Sequence, residues 1–238
     1  MSKLIIITPV KDSIDTSLQT IQSVHQSLVA VPYEYIIYND LSTAENTRIL
    51  EDNNTKFGYK LVNLKDIVQT ASPNYRTSLR LAQKEALVNQ SGLLIIESDV
   101  VVQPDTIQKL YEKSLEDNRC GMIAAVTVDK NGEINFPYLY AKGKQNRELK
   151  THKRLSFCCT LLSYNLLKEI DFALLNEKKS WYDVFVSHQS KKLGFTNYLL
   201  TCLPVLHQPH SSRPWKQLKY TNPLKYYWLK YTKGLDKI

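Results

Sequence analysis

The sequence predicts an α/β domain with a mostly parallel central sheet, followed by a basic and aromatic tail. Short runs rich in Ile and Val alternate with stretches whose apolar residues recur at helical spacing. The apolar runs are nearly uninterrupted, as in strands covered on both faces. Polar and acidic residues collect just after several of these runs, at the carboxyl ends of strands where such sheets bind ligands.

Bulk properties set the limits. The 238 residues suffice for one substantial core. Their 43% apolar and 23% charged residues exclude a disordered chain. No stretch approaches the roughly 18 apolar residues of a membrane span, and the opening LIIITPV lacks a signal-peptide cleavage pattern. Cys120, Cys158, Cys159 and Cys202 show no C-x-x-C spacing, and the adjacent pair suits neither zinc nor an ordinary disulfide. Reduced thiols in a cytoplasmic protein are expected. The net charge of +8 points to an anionic partner, whether nucleotide, lipid headgroup or nucleic acid. The cations cluster at Lys142, Lys144, Arg147, Lys150, Lys153 and Arg154, and again from Arg213 to Lys237.

The elements follow in order. Leu4 to Thr8 is a buried strand. From Ser13, residues Ile14, Leu18, Ile21, Val24 and Leu28 mark the apolar face of a helix. Tyr33 to Tyr38 is the second strand, and Asn39-Asp40-Leu41-Ser42-Thr43 is loop chemistry ending in a helix cap at Ser42 or Thr43. Tyr59 to Leu64 is the third strand. Leu79, Ala82, Ala86 and Leu87 define a helix over 75–89, Leu93 to Ile96 is the fourth strand, and Asp105 to Leu115 is helical. Met122 to Val128 is a strand before a hairpin turn at Asn131-Gly132. Beyond Leu155, SFCCTLLSYNLLKEIDF reads as a strand or turn and then a helix, SWYDVFVSHQSKKLGF as a helix ending at Gly194, and Phe195 to Leu206 as extended.

The run LLIIESDVVVQP, residues 93–104, raises a problem of its own. Glu97 and Asp99 interrupt a buried strand with only Ser98 between them. Unpaired buried carboxylates cost several kcal/mol or shift their pKa strongly. Side chains at i and i+2 of an extended segment share a side, so both acids can converge on one divalent cation. A solvated strand end, with acids capping the next helix, accounts for them equally well.

Together these segments resemble the family 2 glycosyltransferases of the GT-A fold. The matching pieces stand in the family's order: IIITPVKDS, YIIYNDLST, LLIIESDVVVQP, SWYDVFVSHQSKKLGF and VLH, spanning most of residues 3–207. The resemblance implies a metal-dependent, inverting, non-processive enzyme that moves one sugar from a nucleotide-diphosphate sugar to an acceptor hydroxyl. It assigns Asp40, Pro9 and Lys11 to base recognition, beside a local reading in which Asp40 and Ser42 only shape a turn. It assigns Glu97, Ser98 and Asp99 to the D-x-D element, with Asp99 and Glu97 on Mn²⁺ or Mg²⁺; Glu97 departs from the family's Asp. It assigns Asp183 as general base, although Ser180-Trp181-Tyr182-Asp183 also reads as a capping box. His207 stands where some members supply a histidine to metal or diphosphate. His210 completes an H-x-x-H spacing that Pro209 prevents from being a helical metal motif. Arg76 and Arg80, one turn apart, either reach a phosphate or form a solvated face.

The expected organisation is a GT-A-like domain over 1–210, with a nucleotide-sugar half at 1–128 and an acceptor half at 129–210, and an extension over 211–238. The extension carries Trp215, Tyr220, Tyr226, Tyr227, Trp228 and Tyr231 among lysines. It suits either an anionic membrane surface, at the inner face of the membrane, or packing on the domain. The acceptor is then a glycan or a lipid-linked molecule, in cell-surface polysaccharide or glycolipid synthesis. A basic nucleic-acid- or lipid-binding protein without catalysis is the alternative. It leaves Glu97 and Asp99 without a task, and no nucleic-acid motif is present. A sugar nucleotidyltransferase ranks third, since no glycine-rich phosphate cradle follows the first strand.

Overall fold

The computed structural model describes residues 4–176, 181–208, 218 and 222–232. Nine strands form one sheet. They are β1 (Leu4–Val10), β2 (Tyr33–Asn39), β3 (Lys60–Asn63), β4 (Gly92–Ile96), β5 (Val100–Val101), β6 (Cys120–Val128), β7 (Glu148–Thr151), β8 (Cys159–Leu162) and β9 (Thr196–His207). The helices are α1 (Ile14–His25), α2 (Ala44–Phe57), α3 (Tyr75–Val88), α4 (Thr106–Leu115), α5 (Tyr164–Glu169), α6 (Tyr182–Lys192) and α7 (Pro223–Thr232). The sheet order is β3-β2-β1-β4-β8-β6-β9-β5, with β7 paired to β9.

The first four strands pair in parallel, as the alternation predicts. The second half is mixed: β8 runs antiparallel to β4 and β6, and β9 is antiparallel to β5 and β7 but parallel to β6. Successive strand residues point to opposite faces, so Ile5, Ile7, Leu93 and Ile95 enter one core and Leu4, Ile6, Leu94 and Ile96 the other. Both faces are covered, which is why these runs lack polar alternation. Pro9 is tolerated because β1 pairs with β4 only through Ile7, so the missing N–H falls beyond that ladder.

Some sequence expectations hold and others are corrected. Leu28 lies past the end of α1 and is 73% exposed, so the apolar face of that helix stops at Val24. The Thr43 hydroxyl, accepting from Asn46 N at 3.3 Å, caps α2. The strand at 93–104 breaks after Ile96: Val100 N donates to Glu97 O at 3.2 Å, closing a turn over the acids. Strand β5 is two residues long and separate from β4, and strand β7, the charged stretch ELKT, carries no sequence signal. No described helix is long and apolar enough to cross a membrane.

Candidate active site

The carboxyl ends of β1, β2 and β4 form one rim. At its first loop Lys11 Nζ donates to Leu41 O and pairs with Asp12 at 2.8 Å. Asp12 accepts from Thr43 N at 2.8 Å and Asn46 Nδ2 at 3.0 Å, while its own N–H donates to Ser42 Oγ at 2.9 Å. The Lys11 hydrogen bond, then the Thr43 amide, hold its carboxyl down at about 2. Asp12, Ser13 and Leu41 all have positive φ, between 47° and 57°. A left-handed leucine is sterically costly, and such strain persists where surroundings over-determine it.

Asp40 is 6% exposed. It accepts from Ser72 Oγ at 2.8 Å, Asn74 N at 2.7 Å and Asn74 Nδ2 at 2.8 Å. The local turn is instead organised by Asn39, whose Oδ1 accepts from Ser42 N at 3.3 Å. A carboxylate has about four acceptor positions, so three bonds leave Asp40 capacity for one more donor.

The acids after β4 sit in a different setting. Two pairings bring distant chain to them. The β4–β8 ladder continues as Glu97 N donating to Cys158 O at 2.9 Å, which sets the Cys158 thiol on Glu97 Oε2 at 3.3 Å. The short β5–β9 ladder pairs Val100 with His207, leaving His207 Nε2 3.6 Å from Asp99 Oδ2 and 4.0 Å from Cys158 Sγ. His207 Nδ1 lies 2.9 Å from Phe136 O; with Nδ1 protonated and bonded to that carbonyl, Nε2 faces the acids. Asp99, Ser98 and His207 are all buried, and Glu97 is partly so.

Burial first, then the Asp99 charge, pushes the Glu97 carboxyl up. Burial also pushes the Cys158 thiol well up, and the two acids push it further. For His207 burial favours the neutral ring, yet Asp99 and Glu97 outweigh it and the net direction is upward. Acids crowded together with a buried histidine beside them form a setting in which a bound cation would relieve the repulsion. Glu97, Cys158 and His207 offer ligand atoms all within 4.8 Å of one another. Ligands about 2.0–2.3 Å from one ion are separated by roughly this much. Asp99 adds a further carboxylate, its Oδ2 3.6 Å from His207 Nε2, so that Glu97, Asp99 and His207 together present oxygen and imidazole donors of the kind that suits Mn²⁺.

Asp183 lies in the first turn of α6, where its Oδ1 accepts from Val184 N at 2.9 Å. Its charge is one of those that raise the Glu97 carboxyl, after burial and the Asp99 charge. The capping-box expectation is corrected: Trp181 is the N-cap, and Ser180 lies outside the described residues. Arg76 is not part of a solvated face, because it donates to Ala173 O and ties α3 to the turn at Phe172–Leu174. Arg80, one turn on, is exposed. His210, Arg213, Trp215 and Tyr220 also lie outside the described residues.

Cys158 is the site residue that the sequence reading missed. Treating Cys158 and Cys159 as a pair concealed it, since only Cys158 reaches the acids. Its local sequence holds no signal; the signal is the pairing of β8 with β4.

No protein-family model matches the chain, and no curated protein does. Solved structures do. The TarS 1-349 structure from S. aureus in complex with UDP-GlcNAc superposes with a TM-score of 0.66 at 16% identity, over 89% of this chain and 61% of that one. Mannosyltransferase PcManGT from Pyrobaculum calidifontis, in complex with GDP-Man and Mn²⁺, gives 0.67 at 12% identity, over 99% of this chain and 64% of that one. GalNAc-T7 with UDP, GalNAc and Mn²⁺ gives 0.63 at 12%, over 87% and 44%. The chain therefore spans less than two thirds of each of these structures. What the likeness carries at such identities is the architecture: this chain has the GT-A-type fold of glycosyltransferases.

Proposed function

We propose that the chain is a metal-dependent glycosyltransferase of the family 2 type, moving one sugar from a nucleotide-diphosphate sugar to an acceptor hydroxyl with inversion. The observation that carries this is the convergence of Glu97, Asp99, Cys158 and His207 at the end of β4, beside Asp183. In this reading Asp99, Glu97 and His207 hold Mn²⁺ or Mg²⁺, which supplies positive charge against the departing diphosphate. The Cys158 thiol orients Glu97, and the Phe136 carbonyl fixes the His207 ring.

Asp183 takes the acceptor proton as the acceptor oxygen attacks the anomeric carbon from the side opposite the diphosphate. A single displacement inverts that carbon. The Val184 amide holds the Asp183 carboxylate in orientation. Pro9, Lys11 and Asp40 line the base subsite, with Asp40 offering its remaining acceptor position to a base N–H. Arg80 and Ser98 border the diphosphate, and Arg76 braces the start of α3 beneath it.

The acceptor we assign is a glycan or lipid-linked molecule in cell-surface glycan assembly, met at an anionic membrane. Residues 211–238 hold seven Lys or Arg against one acid. On α7, Leu224, Tyr227, Trp228 and Tyr231 are exposed at i, i+3, i+4 and i+7, while Tyr226 is buried. A stripe of aromatics turned outward among lysines suits a lipid interface. A protein lacking 211–238 that still floats with anionic vesicles would refute that contact.

The central test is a thermal-shift screen of nucleoside diphosphates with and without Mn²⁺ on wild type and Asp99→Ala, followed by transfer assays on Asp183→Asn. Nucleotide stabilisation that needs both metal and Asp99 is expected, with Asp183→Asn keeping that binding and losing transfer. Unimpaired transfer by Asp183→Asn would remove it as the base.

A further inference from the structure

Arg154 stands apart from the cations around it. The segment 142–154 carries six cations and one acid, Glu148, which is engaged by Lys113 at 2.6 Å. Lys153 is exposed and lies over the Tyr140 ring. Arg154 is half-buried, its guanidinium carbon 5.4 Å from the Trp181 ring centre and 5.8 Å from that of Phe136. The peptide that follows it is held at both its polar atoms: Arg154 O accepts from Tyr140 OH at 3.2 Å, and Leu155 N donates to Ser187 Oγ on α6 at 2.9 Å. Among the described residues no carboxylate pairs with its guanidinium.

The two rings belong to the two sides of the site. Phe136 supplies the carbonyl that orients His207, and Trp181 is the N-cap of the helix that carries Asp183. A guanidinium near two aromatic faces is partly desolvated and held by cation–π attraction, while its N–H edge remains able to bind. That planar fork matches the paired oxygens of a phosphoryl group. The neighbouring lysines and Arg147 give the approach the same sign of charge.

We propose that Arg154, held by Phe136 and Trp181, binds a phosphoryl oxyanion between the metal cluster and Asp183. The source is either the diphosphate of the donor or a phosphate carried by the acceptor. The choice of sources rests on the glycosyl-transfer reading; the phosphoryl chemistry does not.

The test measures binding by calorimetry to wild type, Arg154→Gln and Arg154→Lys, with unfolding midpoints recorded alongside. With UDP or GDP and Mn²⁺, a donor role predicts at least about tenfold weaker nucleotide binding by Arg154→Gln, with uridine or guanosine binding unchanged. An acceptor role predicts unchanged nucleotide affinity and at least about tenfold weaker binding of glycerol 3-phosphate to the nucleotide-loaded protein. Arg154→Lys, which keeps charge without the fork, falls between wild type and Arg154→Gln in either case. Equal binding of all these probes by wild type and Arg154→Gln overturns the proposal.

Should Arg154→Gln fail to fold, the native pair still reports. In a Trp215→Phe, Trp228→Phe background Trp181 is the remaining tryptophan. Its emission should change saturably with UDP and Mn²⁺ or with glycerol 3-phosphate, and no change with either overturns the proposal. An Asp99→Ala protein that binds nucleotide normally would remove the glycosyl-transfer reading while leaving an Arg154 phosphate effect intact.

Discussion

Asp40 and Asp99 follow the ends of two strands of one sheet and are equally hidden, at 6% and 7% exposure. Asp40 faces donors: a hydroxyl, an amide N–H and a carboxamide from the single stretch Ser72 to Asn74. Asp99 faces another acid, a histidine drawn in by β9 and a thiol beyond it. Burial alone therefore says little about a carboxylate. Donors around it make a brace for a loop, whereas acids and an imidazole around it make a place for a cation.

Substitutions should separate the two. The largest expected effect is Asp99→Ala, which should abolish metal-dependent nucleotide stabilisation in the thermal-shift screen while the unliganded protein melts near the wild-type temperature. A wild-type response to nucleotide and Mn²⁺ would erase the contrast with Asp40. Asp40→Ala should act on the unliganded protein as well. It strands the Asn74 donors and should cost roughly 3 kcal/mol of unfolding free energy in denaturant titration.

Glu97→Gln sharpens the contrast by its sign. A carboxyl raised in the folded protein binds its proton more tightly there than in the unfolded chain. Its contribution to stability is complete below the unfolded pKa and is lost as pH rises through the folded one. The metal-free Glu97→Gln protein should therefore be more stable than wild type at neutral pH and indistinguishable from it in acid, where Glu97 is protonated in both states. Denaturation midpoints across that range give the answer, and a loss of stability at neutral pH would contradict the crowding of the acids. The smallest effect concerns thiols. With Cys158 buried and its thiol pushed well up, and Cys202 exposed, alkylation of the metal-free native protein at mildly alkaline pH should label Cys202 long before Cys158. Mass mapping of the labelled peptides reads this out.

The parallel half of the sheet was legible because Ile and Val runs buried on both faces have little ambiguity of register or direction. Asp99, Glu97 and His207 were legible as residues that a resemblance places in order, and the structure brings them together. Cys158 and Arg154 were not, since each gains its meaning from a partner far along the chain: Glu97 for one, Trp181 for the other. The direction of β8 was equally hidden, because an apolar run reads the same whether its neighbour is parallel or antiparallel. The capping box misled through short-range pattern alone, which could not tell that α6 starts one residue later.

The two-residue strand β5 has a consequence for how the protein is made. Through it the last strand of the sheet delivers His207 to acids more than a hundred residues earlier. Loop closure of that length is slow, and a chain emerging from the ribosome folds its amino-terminal elements first. The parallel strands and the Asp40 brace can close as soon as residue 96 has emerged, but the cation cluster must wait for β9. A nascent chain would thus acquire its scaffold early and the proposed site late, so that truncation anywhere before 207 leaves a partly ordered protein whose acids after β4 lack His207.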